Sequence, residues 1–236
     1  MAFMLCMGAC TPVPAAQVDN KVPYDNPTEI LSVDGEPSAF TNEIMGCMMM
    51  RECIEDVKEV KSIQDIEWYQ KRLHSEIGKE FNEIVSVLND LGIKVFIAPE
   101  KYFPIGNRGV YYTKGNTIFL NTALVKRSSA LISVLRHEGW HGVQDCMAGE
   151  IGNNMIAIVF DEEKIPGYYT EVVGKTYSDG IRDSSIPWEK EAWWAANTHG
   201  MTIDALKVCR DGVMWDTYPP TPLTKRYLLQ EGYMSK

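Results

Sequence analysis

The sequence lacks the features that mark several function classes. It has no run of lysine or arginine, and 32 acidic against 23 basic side chains leave a formal net charge of −9. A nucleic-acid binder needs a basic patch to neutralise phosphates, so the balance argues against one. It gives an anionic membrane surface nothing to attract either. No stretch approaches the ~18 apolar residues of a membrane-crossing helix, so no transmembrane span is expected. None of the six cysteines (Cys6, Cys10, Cys47, Cys53, Cys146 and Cys209) stands in a Cys-x-x-Cys pair, which removes the usual cysteine zinc site. A Gly-x-x-x-x-Gly-Lys phosphate loop, a Gly-x-Gly-x-x-Gly turn and a Gly-x-Ser-x-Gly elbow are also missing. Histidine is scarce, with four in 236 residues.

What is present is the composition of a globular protein, 45% hydrophobic and 23% charged, and long enough to bury a core. Residues 1–40 carry Pro12, Pro14, Pro23, Pro27 and Pro37 among many polar residues and read as a flexible tail or linker. Residues 41–236 read as one domain. Residues 1–16 open with an apolar segment. Gly8-Ala9-Cys10 resembles a lipoprotein cleavage box, but no Lys or Arg precedes the short run. Localisation is therefore open, with a cytoplasmic protein favoured over an exported or lipid-anchored one. The cysteines follow that choice: buried thiols in the cytosol, or two disulfides among the last four after export.

Apolar periodicity predicts helices over 41–61, 66–91, 128–148 and 187–198, with Pro187 in the first turn of the last. Residues 93–98 read as a strand ended by Pro99. Residues 110–113 and 117–120 read as two strands of a hairpin turned by Lys114-Gly115-Asn116. Residues 154–160 fit a strand or a helix. Residues 168–185 read as irregular, and the proline-containing tail from Asp211 as a surface wrap.

The chemistry is concentrated in Arg136-His137-Glu138-Gly139-Trp140-His141-Gly142. On a helix, positions i and i+4 share a face, so His137 and His141 can both reach one tetrahedral zinc. Glu138 is turned off that line and can serve as the general base towards a water there. Gly139 and Gly142 cost this helix about 1 kcal/mol each relative to alanine, which implies something packed very close at that turn. A catalytic zinc needs a third protein ligand. Glu189, Ala192, Ala196 and the 199–200 pair lie near one face of the later helix, which makes Glu189 the expected ligand. The small alanines would let that helix pack against the glycine-bearing turn. Glu191 lies about 200° further round and is directed to solvent or to a histidine partner; it stays as the alternative ligand.

His137-Glu138-x-x-His141 with Glu189-x-x-Ala192 on a later helix resembles the gluzincin group of zinc metallopeptidases. The likeness spans roughly residues 66–200. It implies an α+β zincin-like domain, with a small mixed sheet over the motif helix and a second helix bringing Glu189 to one zinc ion per chain. It also implies a peptide or protein substrate cleaved with Glu138 as base. By the same resemblance, Thr117–Asn121 is the edge strand, whose Ile118, Phe119 and Leu120 would hold an extended substrate by β-augmentation. Tyr168, Tyr169, Tyr177 and His199 are candidates to stabilise the developing oxyanion, or, for His199, to hydrogen-bond a ligand carboxylate. Asp145 reads as a surface charge or as a partner of a ligand histidine. The rival reading is a non-catalytic zinc-binding interaction or regulatory module on the same fold. Oligomeric state is not encoded in these features.

Overall fold

The computed structural model describes residues 31–32, 43–70, 77–104, 106–176 and 186–235. Their elements in chain order are β1 (Leu31–Ser32), α1 (Glu43–Met49), β2 (Lys58–Glu59), α2 (Glu67–Gln70), α3 (Gly78–Asp90), β3 (Lys94–Ala98), β4 (Gly109–Tyr112), β5 (Thr117–Asn121), α4 (Ser128–Met147), β6 (Met155–Ile156), α5 (Tyr168–Thr176), α6 (Ile186–Asn197), α7 (Met201–Arg210), α8 (Met214–Thr217) and α9 (Pro222–Gln230). This is an α+β arrangement with a small mixed four-stranded sheet. The sheet order is β2-β3-β5-β4, with β3 and β5 parallel and the two outer pairings antiparallel. A two-stranded ribbon joins β1 to β6. Most of the expected tail, residues 1–30 and 33–40, lies outside the described residues.

Alternation along the strands sorts side chains between two cores. Val95, Ile97, Tyr111, Ile118 and Leu120 face one side, where they meet Ile84 and Leu88 of α3, Leu131 and Leu135 of α4, Ala192 and Ala195 of α6, and Leu206 of α7. Phe119, Val110 and Tyr112 face the other side, where Met45, Met48 and Met49 of α1 cover them with Tyr102 and Phe103. A sheet covered on both faces explains why every residue of β5 is buried, as runs of this composition require.

Strand order corrects one expectation. Ile118, Phe119 and Leu120 belong to an inner strand, not an edge. Ile118 pairs with Val95 on one side and Tyr111 on the other, and Phe119 and Leu120 are likewise flanked twice. Their backbone hydrogen-bonding capacity is spent within the sheet, so they cannot take up an added strand. The edges of this sheet are β2 and β4.

Three helical readings also change. The 41–61 stretch is helical only over Glu43–Met49, within the described part. The 66–91 stretch is helical over α2 and α3, with Ile77 the N-cap of α3, while 71–76 lie outside the described residues. Tyr168–Thr176 is a helix, and the tail carries α8 and α9 with Met214 and Leu228 buried. Disulfides join Cys47 to Cys53 and Cys146 to Cys209. The second ties the end of the motif helix to α7.

Candidate metal site

Helix α4 carries the motif in its second half, after Leu131 and Leu135 have anchored its first half to the sheet. His137 and His141 stand one turn apart, with ring centroids 5.0 Å apart and planes at 86°. The first turn of α6 brings Glu189 between them. Its Oε2 lies 3.2 Å from His137 Nε2 and its Oε1 3.6 Å from His141 Nε2. All three ligand-type atoms lie within 4.8 Å of one another. His141 and Glu189 are buried, whereas His137 keeps 14% of its side chain exposed, so the group opens to solvent on the His137 side. Trp193 stands edge-on to His137 there, at 5.7 Å. Of the two candidate carboxylates, Glu189 and not Glu191 lies with the histidines.

Two polar ties hold the helices antiparallel around this group. At one end Arg136 forms a bidentate pair with Glu80 of α3, at 2.6 and 2.7 Å, and donates from Nη1 to the Ala196 carbonyl at 3.2 Å. At the other end Gln144 donates from Nε2 to the Trp188 carbonyl at 3.1 Å. The ligands sit between these clamps, so the spacing of the donors is set by bonds outside the group itself.

Gln144 also meets His141 directly, with Oε1 2.7 Å from Nδ1. The same amide donates to Glu191 Oε2 at 2.8 Å. Glu191 is fully buried, so of the two directions expected for it, solvent or a histidine partner, it takes neither. It accepts from Trp140 Nε1 at 3.3 Å and from the backbone N–H groups of Val159 and Phe160 at 2.8 and 2.7 Å. Burial pushes its carboxyl up to about 7, while these four donors pull the other way.

Glu138 is buried against the edge strand and lies outside the ligand trio. It accepts from the Tyr111 backbone N–H. A Cβ on Gly109 would fall 2.8 Å from its Oε1, so the strand comes this close only because residue 109 is glycine. Burial pushes the Glu138 carboxyl up to about 7; the His137 charge opposes this and the Glu189 charge adds to it. Burial drives His141 down to about 4 against the pull of Glu189. For His137 burial acts downward, but the hydrogen bond and charge of Glu189, with the charge of Glu138, leave it raised.

Several expected roles fall elsewhere. Gly139 and Gly142 do admit close neighbours, but these are Thr202 and Leu206 of α7 and Ile84, Leu88 and Ile93 on the α3 side, not the Glu189 helix. His199 is 85% exposed and lies 3.6 Å from Glu80 Oε2, away from Glu189. Tyr168 is 68% exposed with its ring against Tyr169. Tyr177 lies outside the described residues. Asp145 is wholly buried and accepts from the Tyr111 hydroxyl at 2.7 Å, tying α4 to the edge strand instead of orienting a histidine. Gln144 was findable from sequence as an i+3 neighbour of His141. Glu191, Gly109 and Tyr111 carried no local signal, because their partners are remote in the chain.

Two imidazole nitrogens and a carboxylate oxygen, converging and largely shielded, form a donor set that suits a divalent ion such as zinc. Tautomer chemistry agrees. An amide oxygen facing His141 Nδ1 asks for the proton there, which turns the Nε2 lone pair to the group. Comparison with protein-family models, curated proteins and solved structures finds no match. Among the described residues no helix is long and apolar enough to cross a membrane.

Proposed function

We propose that the protein is a zinc-dependent hydrolase of peptide bonds, similar to the gluzincins in its ligand pattern and built on a zincin-like fold. One observation carries this reading. A His-His-Glu donor group takes its two histidines from the helix turn that also carries a buried carboxyl, Glu138, which is not one of the donors and which burial holds near 7. A structural zinc fills its coordination with protein and has no use for such a group.

A zinc ion on His137, His141 and Glu189 would supply Lewis acidity and bring the pKa of water to about 7. Glu138 takes the proton of the attacking water and returns it to the leaving amine, and a carboxyl pKa near the working pH suits both transfers. The Tyr111 N–H and the Gly109 backbone fix where that carboxyl stands. Gln144 and the Arg136 clamp keep the helix pair in register while it does so.

Elemental analysis of wild type and His141→Ala, followed by digestion of a peptide library with wild type and Glu138→Gln, tests the proposal. One zinc per chain, its loss in His141→Ala, and cleavage that disappears in Glu138→Gln with zinc retained are the expected results. Zinc without cleavage would leave the non-catalytic module. No zinc after reloading would remove the site altogether.

A further inference from the structure

We propose that Glu191 is a positioning residue that selects the tautomer of His141 through Gln144, and so sets how tightly the site holds its metal. The inference rests on the metal-site part of the reading above and stands whether or not the site cleaves peptides.

The reasoning is a count of donors and acceptors. The Gln144 amide offers one acceptor oxygen and one NH2 group. Its Nε2 faces Glu191 Oε2 at 2.8 Å and the Trp188 carbonyl at 3.1 Å, and both of these accept. The amide therefore has one satisfying orientation, which aims Oε1 at His141 Nδ1, 2.7 Å away. That oxygen accepts only if Nδ1 carries the proton. His141 Nε2 then presents its lone pair on the side where Glu189 Oε1 lies at 3.6 Å.

Glu191 in turn cannot rotate out of its role. Its Oε1 is taken by the backbone N–H groups of Val159 and Phe160, and its Oε2 by Trp140 and Gln144, with the Val159 N–H also 3.1 Å from Oε2. Every partner donates, so each carboxylate oxygen has to accept. A carboxylate is the one side chain of this size with acceptors on both sides. In Glu191→Gln only one side can accept. The backbone pair is fixed, so the remaining oxygen goes there and the new NH2 confronts the Gln144 NH2. The relief is for Gln144 to turn over, which sets its own NH2 against His141 Nδ1. The imidazole proton must then move to Nε2 and point into the metal position. If Glu191 served only to fasten residues 159–160 to the helix pair, neither the tautomer nor the affinity would respond in this way.

Long-range proton–nitrogen NMR on histidine-labelled, metal-free protein at mildly alkaline pH reads the tautomer, with His141→Ala identifying the signal. Wild type is expected to show Nδ1–H. Glu191→Gln is expected to show Nε2–H and to bind zinc about 10–100-fold more weakly in chelator competition, the usual scale for losing a hydrogen-bond partner of a ligand histidine. Adding Gln144→Glu to that variant supplies a carboxylate that accepts from the side chains on both sides, at the loss of the bond to the Trp188 carbonyl, and is expected to restore Nδ1–H and recover part of the zinc affinity. Nε2–H in wild type overturns the proposal without reference to any variant, so a variant that fails to fold does not shelter it. A folded Glu191→Gln with Nδ1–H and unchanged zinc affinity overturns it as well. Failure of the metal-site reading shows separately, as wild type that takes up no zinc, and removes this inference with it.

Discussion

Gly109→Ala puts the packing around Glu138 to a quantitative test. The added Cβ would lie 2.7 Å from Val134 Cγ1, 2.8 Å from Glu138 Oε1 and 3.0 Å from Glu138 Cγ, where ordinary contact begins at 3.4 Å. Val134 is β-branched and stiff on its helix, so the longer Glu138 side chain gives way. Its Oε1 must retreat by ~0.6 Å to reach ordinary contact, or β4 must lift and loosen the Tyr111 N–H contact. Overpacking of this kind costs about 1–3 kcal/mol, or a melting temperature roughly 2–12 °C lower for a chain of this size. A misplacement approaching 1 Å costs about 10²-fold in rate, equal to about 2.7 kcal/mol of barrier. The assay is kcat/KM on a cleaved library peptide, with zinc content and Tm in parallel. Zinc should stay near wild type, because no donor atom is touched. Gly174→Ala is the control. Nothing lies within 4 Å of its added Cβ, and in the interior of α5 the change should raise stability by about 0.5–1 kcal/mol. Gly109→Ala with wild-type Tm and wild-type activity would refute the argument that β4 fixes Glu138.

Three further outcomes are expected. Glu138→Gln should keep its zinc and lose about 10²–10⁴-fold in kcat, the span of a general base, measured on the same peptide. Metal-free protein should lose stability as pH rises. Burial pushes Asp145 up to about 7 against the Tyr111 hydroxyl and the Gly152 N–H, so the folded state holds its proton more tightly than the unfolded chain with its pKa of ~3.9. The contribution is complete below that unfolded value and is lost as pH climbs through about 7, on the order of a few kcal/mol. Tm scans from pH 4.5 to 8 should show the decline, and Asp145→Asn should reduce it; an unchanged slope would sink the assignment. Cys146→Ser with Cys209→Ser opens a link with a sequence separation of 63. The loop-entropy model values such a link at about 4 kcal/mol, a fall of roughly 8–16 °C in Tm by calorimetry.

Local pattern alone was enough for the motif helix, the β4–β5 hairpin and the face of α6 that carries Glu189. Each depends on spacing within one element: a four-residue step from His137 to His141, alternation along the strands, and three- and four-residue steps from Glu189 to Ala192 and Ala196. Such spacing fixes which side chains share a face, because helix and strand periods are set by the backbone. It also flagged that Gly139 and Gly142 must meet something close. What they meet was beyond it, since Thr202 and Ile84 lie on helices whose packing angle no local pattern encodes.

The tertiary structure decided the rest. It placed β5 inside the sheet by bringing β3 alongside in parallel, because a hairpin pattern is the same whichever of its strands is paired again. It buried Glu191 and Asp145, which the sequence had left open between solvent and a histidine partner, because their donors come from residues 159–160, Trp140, Gln144 and Tyr111. A buried charge is tolerated only where such partners converge, and convergence across the chain is a property of the fold. The sequence by itself determined which atoms can ligate a metal. Only the fold determined how those atoms are held, shielded and aimed.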